Sequence, residues 1–379
     1  MKALRARVAA FGLTAAPQIE ALPELESARR ALQLLADEGL VEWTVPERFG
    51  GADSNGHAPD ETVSVRALCA IREELAYASG MLDIMFVMQG LGSYAVALGG
   101  KDELRERTLP DVAKGRLIAA FALTEPGAGS SLADVATRAE AKPDGWRLTG
   151  VKTFISNAEL ADFFTVLART SGAPGEKDGL TMFFVPANRR GIEVRPFEVI
   201  APHPIGDVQF HDVHVAEGEL LGEAGRGLEL ALATLARFRT SVAAAAVGIA
   251  RRALDESVRH LAQRRQFGRP LAAFQGLRFD VAEMDVRLRA AQLLVAEAAR
   301  AVDNGEPATR EVARAKLFAT ESAAWICDRA VQHFGGLGVK RGETVERLYR
   351  EVRALRIYEG TSEIQKLILA KEIFGDAKS

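Results

Sequence analysis

In the last 150 residues the apolar positions fall three and four apart. Val247, Ala250, Leu254, Val258 and Leu261 follow this step, and Leu277, Val281, Met284, Leu288, Ala291 and Val295 repeat it over a longer span. That spacing lines one face of a helix. Asn304-Gly305-Glu306-Pro307 breaks the pattern, a third helix is expected over about 309–333, and a last one over 362–374. The first hundred-odd residues also read helical, over 28–39, 64–79 and 82–98. Between these ends the pattern changes to short apolar runs. Leu117 to Leu123 runs into Thr124-Glu125-Pro126-Gly127-Ala128-Gly129, a strand entering a turn. Trp146 to Thr149 and Thr153 to Ser156 flank Gly150 like two strands, and further runs stand at 163–168, 180–185 and 192–194. Val208 and Phe210 alternate in one phase, Val213 and Val215 in the other, which predicts a bulge near His211-Asp212. The expected fold is α+β: an N-terminal helical domain (1–116), a middle β-sandwich or barrel domain (117–226) and a C-terminal helical bundle (227–379).

Composition narrows the classes. Of the 379 residues, 48% are hydrophobic and 26% charged, ordinary globular proportions that argue against disorder. Acidic residues number 51 and basic residues 48, so no whole-chain basic signature points to nucleic acid. The two cysteines, Cys69 and Cys327, make no CxxC pair; a disulfide scaffold and a cysteine zinc site are both poor readings, and the thiols fit a reducing, cytoplasmic setting. No run of eighteen apolar residues occurs, so no membrane span is expected. Lys2, Arg5 and Arg7 before the patch Val8–Leu13 faintly resemble a leader, but the patch is short and reads as the opening of a surface helix.

Nucleophile motifs are scarce: there is no G-x-S-x-G, no H-E-x-x-H and no Walker lysine loop. His211 and His214 are the only close histidine pair, and a strand places them on different faces unless a bulge intervenes, so no metal site is expected. Gly90-Leu91-Gly92-Ser93-Tyr94-Ala95 matches a dinucleotide fingerprint in form only, because it follows a helical segment and lacks a βαβ unit. Phe121 to Ser130 is different. A strand runs into a loop whose successive N–H groups can face an anion or a flavin edge, and Ser130 can add a hydroxyl; alone, the segment reads equally well as a plain turn. Near the C-terminus, Ser362 with Gln365 fits a capping box, which places Glu359 in the loop before a helix, beside Ile357, Tyr358 and the permissive Gly360. A carboxylate there is a candidate general base with a raised pKa; the plainer reading is a solvated loop glutamate.

Together these stretches resemble the acyl-CoA dehydrogenase family. The resemblance rests on Phe121–Ser130, Gly150–Asn157, Arg264–Gly268 with Phe274-Gln275, Gln332–Gly336 and Tyr358–Gln365, in the family's order, with Pro46–Gly51 as a weaker sixth match. It implies FAD held in a cleft between the β domain and the C-terminal four-helix bundle. Phe121, Leu123, Thr124 and Ser130 would line the flavin, with Ser130 also meeting acyl-CoA. Phe154, Ile155 and Ser156 would cover another flavin face. Arg264 and Gln266, with Gln332, Gly335 and Gly336, would reach the cofactor of a neighbouring subunit in a homotetramer, and Phe267 and Gln275 are further cofactor contacts. Thr361 and Glu363 would lie on the FAD. Arg239, Tyr358 and Gly360 would meet the substrate. Glu359 would be the catalytic base, taking the α-proton of the thioester while the β-hydrogen leaves as hydride; its own backbone N–H would help polarise the thioester carbonyl. The alternative place for a base holds Phe238, which cannot serve.

The implied function is an FAD-dependent acyl-CoA dehydrogenase that passes electrons to an electron-transferring flavoprotein. Alternatives on the same fold are an oxidase or monooxygenase, or a dehydrogenase acting on a carrier-protein thioester. The chain departs from the family at Phe154 (usually tryptophan), Ser131 and Ala236 (usually aspartate), and Glu198–His203, where a Leu-Gly-x-Arg-x-Ser segment is common. His203, between two prolines, could touch a substrate, but a loop histidine so placed is more often structural.

Overall fold

The structure is a computed structural model that describes residues 1–54, 56 and 58–375. Five helices come first: α1 (Lys2–Ile19), α2 (Glu24–Asp37), α3 (Val65–Ala78), α4 (Gly80–Gly99) and α5 (Asp102–Ala113). Eight strands follow: β1 (Ala119–Ala122), β2 (Arg138–Lys142), β3 (Gly145–Ser156), β4 (Phe163–Arg169), β5 (Leu180–Pro186), β6 (Ile192–Pro196), β7 (Ile205–Val215) and β8 (Leu220–Leu221). The chain then forms α6 (Gly227–Gln263), a ribbon of β9 (Arg265–Gln266) and β10 (Arg269–Pro270), α7 (Gln275–Asp303), α8 (Thr309–Phe334), α9 (Thr344–Leu355) and α10 (Ser362–Gly375). The expected α, β, α order is present. Neither α5 nor α9 was anticipated, so the C-terminal stretch carries five helices. Two compact units form, one of residues 15–64 and 84–238, the other of residues 1–14, 65–83 and the chain from Arg239 on.

In the first unit the strands form one continuous sheet, in the order β6-β7-β3-β2-β4-β5-β8, with β1 parallel to β4. The strand β4 has neighbours on both edges and is buried along its length, which is why its sequence is nearly all apolar. The two runs around Gly150 are a single strand. A side chain at Gly150 would press within 2.4 Å of Thr137, so only glycine lets that segment approach. The expected bulge is present. Leu148 pairs with Val213 and Gly150 with Phe210, leaving Thr149 opposite both His211 and Asp212, and Asp212 takes φ +53°. Gly90 and Gly92 lie in α4, where a Cβ would strike the Phe238 ring at 2.5 Å and Ala119 at 2.7 Å; they are packing glycines.

The second unit is helical. Cys69 on α3, Val247 on α6, Leu288 on α7, Ala319 and Ile326 on α8 and Leu348 on α9 share one buried core. The Asp303 carboxylate accepts the Val65 and Arg66 backbone N–H groups at 2.7 and 3.0 Å, satisfying the otherwise open N-terminus of α3. Two helices, α4 and α6, are long and apolar enough to cross a membrane by length and composition, and most of each such stretch is buried inside the protein.

Candidate active site

In the sheet unit the strand-to-loop segment after β1 is fixed by a buried ion pair. Lys152 donates to the Leu123 carbonyl at 2.9 Å and to Glu125 Oε1 at 2.7 Å, and the Glu125 carboxylate also accepts the Ala136 and Thr137 N–H groups. Burial works to raise the Glu125 carboxyl, but Lys152 and these donors hold it below its usual range; burial brings the lysine down to about 8, so both stay charged at neutral pH. The Thr153 N–H bonds the Thr124 carbonyl at 2.9 Å, which sets Phe154, Ile155 and Ser156 beside Leu123 and Thr124. Phe121, Leu123 and Ile155 are buried, and Ser130 is exposed. Phe154 has φ +55° and is 61% exposed, a conformation an aromatic residue rarely holds without a purpose. Ser156 Oγ lies 2.6 Å from His203 Nε2. The histidine expected to be structural therefore orients a motif hydroxyl.

In the helical unit the decisive feature is the turn between α9 and α10. Glu359 has φ +52° and Gly360 φ +94°, two successive left-handed residues. Arg239 Nε donates to the Glu359 carbonyl at 2.8 Å, and Lys316 Nζ and Gln365 Nε2 donate to the Gly360 carbonyl at 2.7 and 3.1 Å. Among the described residues the Glu359 N–H finds no acceptor, and its Oε2 is closed off from solvent with no hydrogen-bond partner. Burial raises the Glu359 carboxyl above the usual range, Arg72, Arg239 and Lys316 pull against it, and Asp83 adds to it. Arg72 is itself pinned to Asp83 by two bonds of 2.7 and 2.8 Å and to Ser241 Oγ at 3.0 Å. The expected capping box is not formed. Thr361 Oγ1, not Ser362, accepts the Ile364 N–H at 3.3 Å, while Ser362 donates to Glu321, because the turn places Thr361 at the helix mouth. Glu363, in the first turn of α10, is exposed.

The remaining motif residues gather at one end of the helical unit. His260 stacks on Phe334 at 4.1 Å, and His333 lies 3.3 Å from Asp280, so the ends of α6 and α8 meet the start of α7. Arg264, Gln266, Gln275, Gln332, Gly335 and Gly336 are exposed around that junction. Phe267 forms the tip of the ribbon with φ +50° and is 90% exposed, followed by Gly268 at φ +78°, the tight hairpin geometry. Sequence reasoning missed Arg72, Asp83 and Lys316. The signal was present: Lys316 falls on an apolar helix face with Val312, Ala319 and Ala323, and Arg72 on one with Leu68 and Leu75.

Three family models match in succession: the acyl-CoA dehydrogenase N-terminal domain over residues 1–116, the middle domain over 120–213 and the C-terminal domain over 225–374. The chain belongs to the acyl-CoA dehydrogenase family. It is 39% identical over 352 residues to a 3-(aryl)acrylate reductase of Clostridium sporogenes, covering 92% of this chain and 91% of the relative. It is 34% identical over 363 residues to the caffeyl-CoA reductase-Etf complex subunit CarC of Acetobacterium woodii, covering 93% and 92%. The structure of butyryl-CoA dehydrogenase from Megasphaera elsdenii superposes with a TM-score of 0.89 at 30% identity over 98% of this chain and 97% of that one. Acyl-CoA dehydrogenases are FAD-dependent oxidoreductases, and the residues present suit a flavin. Phe154 is a largely exposed aromatic residue, and Gly127, Gly129, Gly335 and Gly336 have open space where a side chain would stand.

Proposed function

We propose that this chain is an FAD-dependent acyl-CoA dehydrogenase with Glu359 as its base. The observation that carries the reading is the Glu359 turn: a half-buried carboxylate whose Oε2 is closed off from solvent and unpartnered, with its proton affinity raised by burial and a free N–H on the same residue. Glu359 takes the α-proton of the thioester, and its N–H with neighbouring donors polarises the thioester carbonyl, so negative charge develops where a donor already points. A bound FAD would supply the hydride acceptor for the β-hydrogen. Phe121, Leu123, Thr124, Ser130, Phe154, Ile155 and Ser156 would hold the flavin ring, and Thr361 and Glu363 would touch it near the base. Ser130, Arg239, Tyr358 and Gly360 would contact the acyl-CoA.

Arg264, Gln266, Phe267, Gln275, Gln332, Gly335 and Gly336 would serve a neighbouring subunit's cofactor. The support is their shared exposure at one end of the unit, together with Phe279, Val286 and Leu293, exposed seven residues apart along α7, which favour a homotetramer. A relative named as a subunit of an Etf complex supports an electron-transferring flavoprotein as electron acceptor. Two free, buried cysteines fit a cytoplasmic setting.

A second reading, reduction of an α,β-unsaturated thioester, uses the same residues in reverse, with a protonated Glu359 delivering the α-proton. Two relatives named as reductases favour it. A panel of saturated and α,β-unsaturated acyl-CoA thioesters separates the two. Dye reduction by a saturated thioester supports dehydrogenation, oxidation of reduced flavin by unsaturated thioesters alone supports the second reading, and no reaction with either contradicts both.

A further inference from the structure

Lys316 is wholly buried on α8, where its neighbours along the inward face are Val312, Ala315, Ala319 and Ala323. An ammonium has three donors, and the described residues give this one a single acceptor, the Gly360 carbonyl at 2.7 Å. A buried charge with one partner is costly to the fold, and a methionine would fill the same volume without that cost. Packing therefore does not account for the lysine. Its surroundings do. The carbonyls of Glu359 and Gly360, which define the left-handed turn, are each held by a cationic side chain, Arg239 on the first and Lys316 on the second. Around the Glu359 carboxylate stand Arg72 on α3, Asp83 on α4, Arg239 on α6 and Lys316 on α8, with Tyr358 adjacent in the chain; the charges of Glu321 and Glu363 also reach Lys316.

We propose that Lys316 is a positioning residue for Glu359: its ammonium pins the turn through the Gly360 carbonyl and keeps a positive charge beside the carboxylate. The proposal rests on Glu359 being the base. Burial lowers Lys316 to about 8, so the charge is mostly present at neutral pH and is lost above that value. Removing it should raise the proton affinity of Glu359, because one of three opposing cations is gone.

The test uses FAD-loaded wild type, Lys316→Met, Lys316→Gln and Glu359→Gln. The Glu359 ionisation is followed by infrared difference titration, on the carboxyl band absent from Glu359→Gln, and flavin reduction is timed anaerobically across pH. In both lysine variants the midpoint should move upward, by about tenfold in proton affinity. Lys316→Gln keeps one N–H for the Gly360 carbonyl and should recover most of the high-pH rate, whereas Lys316→Met should not. The thermal midpoint of Lys316→Met at pH 7 should match or exceed that of wild type, since an under-partnered buried charge is gone. An unchanged infrared midpoint in both variants overturns the proposal, as does failure of both to fold, which would make Lys316 a residue of the fold. A shifted midpoint alongside wild-type flavin reduction by Glu359→Gln would instead overturn the assignment of the base and leave the effect of Lys316 on that carboxyl standing.

Discussion

Among the described residues, Phe154, Asn157, Asp212, Phe267 and Glu359 are the non-glycine positions with positive φ. Four of them, Phe154, Asn157, Phe267 and Glu359, fall in motifs that had already singled themselves out in the sequence. Strain of this kind persists where the surroundings over-determine it, and it clusters at functional sites. Glu359 was legible because Gly360 and a helix start follow it. Lys316 showed only as a charge on an apolar helix face and His203 only as a loop histidine, because the partners that give them meaning lie 44 and 47 positions away in the chain. Burial holds the His203 imidazole down to about 4, from an ordinary value near 6.5. The folded protein keeps this histidine neutral where the unfolded chain protonates it, so its contribution to stability is present above pH 6.5 and is lost as pH falls toward 4. A thermal-melt series should show this acid loss in wild type and a shallower one in His203→Asn. Parallel profiles would mean that His203 is solvated.

At the scale of elements, the short apolar runs were readable as strands because Gly and Pro punctuate them. The helix α9 escaped notice because arginines and glutamates surround its stripe of Val345, Leu348, Val352 and Leu355, although the spacing of three and four was there to find. The join between β1 and β3 is the element-scale device that positions the motif residues. Lys152 and Glu125 hold it, and each is almost wholly buried. Lys152→Met should cost roughly 3–5 kcal/mol by denaturant unfolding, because it leaves Glu125 charged and uncompensated. The double variant Lys152→Met with Glu125→Gln should lose clearly less than the two single losses added together. Strict additivity would mean that the two side chains act separately.

For the whole molecule, the order of helical, β and helical stretches followed from periodicity alone. The assembly of the compact units did not. Residues 65–83 join the C-terminal helices although more than 150 residues intervene, since Val65, Cys69 and Ala76 complete a core that local patterning cannot assign. That placement brings Arg72 and Asp83 to the Glu359 turn and makes the surroundings of the proposed base a property of the assembled chain. The central claim is that Glu359 removes the α-proton. Its most direct test is anaerobic mixing of FAD-loaded Glu359→Gln with the thioester that best bleaches the wild-type flavin. FAD should remain bound, and bleaching should slow by at least roughly a hundredfold, the low end for general-base catalysis. Bleaching at the wild-type rate would contradict the account and place the base elsewhere.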